Sequence, residues 1–306
     1  MSEHLTHIAI FEDTYQLVQH ARTLHPAFKS SLEKYPDVGL LASSSRGNHL
    51  FAIPFLEAAR QKWGQHQAGD GAEEQIAAAI GWLSHRAIDR QVKPIHLKDP
   101  KVQDARFSEI ENEIYHDAVT FDQVFARGDM PSVSPWVELS EATLSRGMHG
   151  HPAAEWVHTA PAEQLLTSLV QQNLLQLRTF NETASTPAAW LEQFADNYQK
   201  LGEDLDTYIE AFTYPDAAKM DKYIFSPNVY NEEDDLIRLV RQLKREGRTD
   251  IGLQSALDKA AGQSHYAQGL RNSLHFIQAG SDFFEGKIEK SACYDRVQIF
   301  HEPHRK

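Results

Sequence analysis

The chain has almost no cysteine, no excess of basic charge and no long apolar run, and each absence removes a class of protein. Cys293 is the one cysteine in 306 residues, so no intrachain disulfide can staple the fold and a cysteine-rich zinc ribbon is excluded. Any transition-metal site has to be built from His, Asp and Glu. The 30 Lys and Arg are outnumbered by 43 Asp and Glu, leaving a formal charge of -13. Such a chain lacks the clustered cations that grip a nucleic-acid backbone, and no extended nucleic-acid groove is expected. Acidity does not exclude phosphorylated ligands, because bound cations can invert the sign of a local pocket. No apolar stretch approaches the roughly 20 residues that cross a bilayer. The opening Met1-Ser2-Glu3-His4-Leu5-Thr6-His7 has no basic stretch running into an apolar one. The expectation is a soluble, cytoplasmic protein. The apolar-polar alternation of strands is missing as well, as is any repeated unit.

What is present is helical periodicity. Ile8, Phe11, Tyr15 and Val18 recur at steps of three and four within residues 6–22, which defines one apolar face. Ile53, Leu56 and Ala59 continue the pattern, and Ile76, Ala79, Ile80, Leu83 and Ala87 describe a buried helix between Glu73 and Ile88. A further helix is expected over 107–126, through Ile110, Ile114, Val119, Phe121 and Phe125. In the second half, Leu165, Leu166, Leu169 and Val170 mark one helix, and Thr186-Pro187 opens another through Trp190, Phe194 and Tyr198. Asn231 is expected to cap 232–245, and the last helix runs from His265 to Phe284. Gly128-Asp129-Met130-Pro131, Ser134-Pro135 and the stretch from Met148 to Pro152 interrupt the pattern. The reading is an all-α multi-helix bundle, with a core over 1–130 and a helical part over 131–306 packed on it in the same globular unit.

The chemistry-bearing residues concentrate in Gly81-Trp82-Leu83-Ser84-His85-Arg86-Ala87-Ile88-Asp89 and the following Pro94-Ile95-His96. His85 and Asp89 stand four apart, so a helix projects them from one face a turn apart. An imidazole nitrogen and a carboxylate oxygen at that spacing can reach one zinc ion, and the second carboxylate oxygen can reach a neighbouring ion. The plainer alternative is a satisfied core histidine beside a surface acid.

Together with Thr6-His7-Ile8-Ala9, Tyr35-Pro36-Asp37 and Asn48-His49, this order resembles the zinc-dependent phospholipase C family over roughly the first 125 residues. The resemblance implies an all-helical fold with a metal cluster between helices, shared with the fungal single-strand nucleases. It also implies one to three zinc ions and hydrolysis of phosphodiester or phosphomonoester bonds. By resemblance, His7 matches the first-helix ligand, Asp37 a loop carboxylate able to orient or deprotonate water, and His49 the histidine after it. His85 and Asp89 match the helix pair, with Asp89 as bridge, and His96 the next ligand. The family then uses histidine followed four residues later by glutamate. Here the helix reads Glu109-x-x-x-Glu113-x-x-x-Asp117 with His116 beside the last acid. Glu113 takes the glutamate's place, and Glu109, His116 and Asp117 are secondary candidates. A site this rich in carboxylate also suits iron, manganese or nickel.

The implied substrate is a small or soluble phosphoester, with the oligomeric state left open. Two alternatives stand beside this reading. His116-Asp117 with Asp122 also suits an HD-type metal phosphohydrolase, and a noncatalytic helical scaffold can keep metal ligands for folding alone. His149, His151 and His158 read as a polar loop. His265 and His275, near Tyr266 and Arg271, read first as ordinary helix positions and second as phosphate contacts.

Overall fold

The computed structural model describes residues 4–44, 48–65, 67, 69–91, 95–97, 223–225 and 228–299. Two compact units interleave along the chain. One holds Met1–Ile8 and Lys93–Pro227, the other Ala9–Val92 and Asn228–Lys306.

The second unit is built around one helix that is apolar on nearly every side. Asp70 starts it: its Oδ1 accepts from the Ala72 N–H at 2.9 Å, while Gly71 adopts φ 82°, a conformation that suits glycine. This helix, α5 (Ala72–Gln91), carries Glu73 and Glu74 in its first turn, where negative charge complements the helix dipole. Ile76, Ala77, Ala78, Ala79, Ile80, Trp82 and Leu83 are all buried, so neighbours must cover every face. Those neighbours include α2 (Pro26–Lys34), α3 (Pro36–Ser44), the 3-10 turn Asn48–Phe51, α4 (Ala52–Trp63) and α8 (His265–Phe284). Each large residue fully buried at about 25 cal/mol per Å² contributes roughly 1.5–3 kcal/mol against leaving it exposed. Phe28, Ile53, Leu56, Ile76 and Trp82 therefore anchor this packing.

The later helices follow from local signals. α6 (Asp235–Glu246) buries Leu236, Ile237, Leu239, Val240 and Leu243 and stops at Gly247, whose φ of 67° is left-handed and whose N–H donates to the Leu243 carbonyl. After α7 (Leu253–Ala260), Ser264 caps α8 by accepting from the Ala267 N–H at 3.3 Å. The bounds of α8 are those read from its periodicity. The short α9 (Lys290–Arg296) packs back on α8. No described helix is long and apolar enough to cross a membrane.

Three expectations are corrected. Asn231 does not cap α6: its side chain accepts from the Glu233 N–H at 3.2 Å in a preceding turn, and Asp234 takes the cap position. Pro36-Asp37 opens a helix rather than a loop, because proline is pre-set for a first helical position; Gly39 lies within that helix, where a Cβ would meet the side-chain tips of Phe11 and Leu32. Finally, strands do occur. In the first unit, β1 (Ile95–Leu97) pairs antiparallel with β2 (Tyr223–Phe225), with His96 opposite Ile224. Three residues per strand are too few for a readable alternation, so His96 lies on a strand and not merely after a proline turn. The first unit also holds the opening residues of α1 (His4–His20), up to Ile8.

Candidate functional site

The elements that carry four of the expected ligands pack on one another within the second unit. Asp37 lies in the first turn of α3, His49 in the 3-10 turn, and His85 and Asp89 on α5. Both α3 and the 3-10 turn contact α5. The side chains of Asp37, His49 and Asp89 are outside the described residues, as is that of His96 on β1. Glu109, Glu113, His116 and Asp117 lie wholly outside them, as do His149, His151 and His158. His7 is on α1 and buried, and belongs with the first unit. Among the described residues, no three His, Cys, Asp or Glu side chains form a group that could hold a metal ion.

His85 is the member of the helix pair whose side chain is described. It is only 5% exposed, and its Nδ1 lies 2.8 Å from the Ser43 carbonyl oxygen. A carbonyl only accepts, so Nδ1 carries the proton and, in the neutral ring, the lone pair resides on Nε2. The polypeptide arrives at this contact through two glycines. A Cβ on Gly81 would run into the main chain of α3: it would overlap the Gly39 carbonyl oxygen and stand 2.9 Å from the Gly39 carbonyl carbon and 2.7 Å from Ala42 Cβ. One turn further along both helices, Ser43 meets His85. Zinc-binding histidines commonly present one nitrogen to the metal while the other donates to a carbonyl or carboxylate; of these two features, His85 shows the second.

A second polar cluster, not anticipated from the sequence, sits inside the same unit. Asp13 on α1 is 9% exposed, accepts the Tyr266 hydroxyl at 2.8 Å and forms an ion pair with Lys244 on α6. Tyr230 meets the Tyr266 ring edge-on at 5.1 Å, and the Arg241 guanidinium lies over Tyr230 at 5.8 Å. Burial, followed by the Asp13 charge, holds the Tyr266 phenol well above its ordinary range. Glu12 is partly buried. Desolvation pushes its carboxyl from 4.5 up to about 8, against the opposing pull of Lys244 and with the help of Asp13. Only the packing exposes this cluster: α1 buries Ile10, Thr14 and Leu17 alongside Phe11 and Val18, so acids on it have little water to face.

The C-terminal histidines take ordinary places. The His265 N–H donates to the Asn228 carbonyl at 3.0 Å at the start of α8, and His275 is exposed. Cys293 is buried, and burial pushes its thiol up to about 12, which leaves it as thiol rather than reactive thiolate. No protein-family model matches this chain, no curated protein matches it, and no solved structure matches it.

Proposed function

We propose that the chain is a metal-dependent phosphoesterase that uses zinc to hydrolyse a small or soluble phosphomonoester or phosphodiester. The observation that carries this reading is His85, a buried imidazole whose Nδ1–H is committed to a main-chain carbonyl and which precedes Asp89 by one helical turn. The Ser43 carbonyl holds a proton on Nδ1, which is the arrangement commonly found behind a histidine that coordinates a metal through its other nitrogen.

In this reading His85 and Asp89 on α5 would hold the metal together with Asp37 on α3 and His49 in the 3-10 turn. Zinc, when bound, supplies the positive charge that neutralises phosphoryl oxygens and makes water nucleophilic near neutral pH. Asp37 orients that water or takes its proton. The rest of the catalytic contribution is positional, because phosphoryl transfer depends mainly on alignment and charge stabilisation.

The test combines elemental analysis of protein purified without chelator with hydrolysis of p-nitrophenyl phosphate and bis(p-nitrophenyl) phosphate. His85→Gln and Asp89→Asn are each expected to lower zinc affinity and turnover by at least about tenfold. A folded wild-type protein that takes up neither zinc, iron, manganese nor nickel overturns the reading. Stoichiometric metal without turnover on either ester replaces it with the scaffold alternative.

A further inference from the structure

Arg271 is the one Lys or Arg of α8, and the fold gives it no acid. Its side chain is half-buried, its Nε is closed off from solvent with no acceptor, and its Nη1 reaches Asn272 Oδ1 at 3.4 Å, the far end of hydrogen-bond range. Among the described residues no carboxylate pairs with it. Arginines on the neighbouring helices are treated differently: on α6 Arg241 meets Glu232 at 3.3 Å, and on α9 Arg296 meets Asp282 at 3.2 Å. In a chain with 43 Asp and Glu against 30 Lys and Arg, acids are plentiful. A guanidinium drawn partly out of water without one is therefore the exception, because desolvating a charge is unfavourable unless an opposite charge compensates it.

His275 follows one turn later and is exposed, so a ligand entering from solvent can reach it. Side chains four apart on a helix have Cβ atoms about 6 Å from each other, and each leans toward the helix start, which tilts the His275 ring back toward Arg271. The two groups sense one another. The Arg271 charge adds to partial desolvation in lowering the proton affinity of His275, while Asp258 on α7 pulls the other way. Asp258 is exposed and accepts from Gln254 Nε2 at 2.9 Å.

We propose that Arg271 and His275 form an anion site on α8 that takes a phosphoryl group, with the guanidinium supplying two N–H donors and the imidazole a third. A phosphoryl group suits this set better than a carboxylate, because the guanidinium fork engages both oxygens of a carboxylate but leaves a third phosphoryl oxygen for His275. No metal ligand takes part, so the site stands or falls independently of the phosphoesterase reading.

The experiment follows the His275 ring resonances of the full-length protein, in EDTA at pH 7, through titrations with inorganic phosphate and with methyl phosphate, each matched by sodium chloride at equal ionic strength. His275 is assigned by loss of its signals in His275→Asn. The wild type is expected to show a saturable shift toward the imidazolium position that chloride does not reproduce, because an anion beside Arg271 offsets the charge that disfavours the ring proton. Arg271→Gln should weaken phosphate binding by about tenfold or more, the effect of losing one charge-assisted hydrogen bond. Arg271→Lys keeps the charge without the fork and should fall between the two; it also carries the test if Arg271→Gln does not fold. Asp258→Asn removes the opposing charge and should tighten binding. A response to both ligands assigns the site to phosphate esters, and a response to inorganic phosphate alone assigns it to the free ion. No saturable shift in the wild type, an equal shift with chloride, or an unchanged phosphate response in the folded Arg271 variants overturns the proposal.

Discussion

Replacing Glu12 by glutamine should stabilise the protein above neutral pH, although the substitution adds no contact. Desolvation raises the Glu12 carboxyl from 4.5 to about 8, so between those values the folded state binds a proton that the unfolded state has lost. Stability therefore falls as pH rises through this window and levels off above it, the reverse of a salt-bridged carboxylate. Integrated over the interval, the difference corresponds to at most roughly 5 kcal/mol. Water reaching a partly buried carboxyl, and relaxation around Lys244 and Asp13, reduce this to about 1–3 kcal/mol. Glutamine keeps the shape of the protonated acid and cannot ionise. Urea unfolding at pH 5 and pH 8.5 should give nearly equal stabilities for wild type and variant at the lower pH, with the variant ahead at the higher one. A variant no more stable at pH 8.5 than at pH 5, relative to wild type, would falsify the argument that burial dominates at Glu12.

Other perturbations probe the same unit. Tyr266→Phe removes the hydroxyl that Asp13 accepts at 2.8 Å and should cost about 1–3 kcal/mol in denaturant unfolding, the penalty of leaving a buried acceptor underused. An unchanged unfolding midpoint would mean that Lys244 alone satisfies Asp13. Gly81→Ala should destabilise by about 1–3 kcal/mol or more, because main chain cannot yield as side chains do. Gly280→Ala should stay within about 1 kcal/mol of wild type, since helix propensity offsets the displaced leucine tips. Equal thermal shifts for the two variants would contradict the difference in what their methyls meet.

Much of the fold could be read from periodicity because burial on a helix repeats every three to four residues. α4, α5 and α8 declare themselves through Ile53, Leu56 and Ala59, through Ile76 to Ala87, and through Leu270, Leu274 and Ile277. The helix carrying Asp37 escaped because Pro36 and Gly39 are also turn residues. Only the packed structure shows that a side chain at Gly39 would meet Phe11 and Leu32. The β1–β2 pair escaped because three residues carry no pattern. At the candidate site, spacing placed His85 and Asp89 one turn apart on a helix but was silent about tautomer, which depends on a carbonyl 42 residues away in sequence. Glu12 and Asp13 were passed over because adjacent acids on a helix usually face water.

Composition and periodicity by themselves determined that the described part is overwhelmingly helical, that no disulfide contributes and that a metal site must draw on His, Asp and Glu. These properties are local or additive, so they survive without knowledge of what packs where. Tertiary structure decided which side chains are stripped of water and which backbone groups stand beside them. That is why the protonated nitrogen of His85 and the raised carboxyl of Glu12 emerge only once α3 lies against α5 and α1 is enclosed. Both depend on distances of a few ångströms between segments that the chain order keeps far apart.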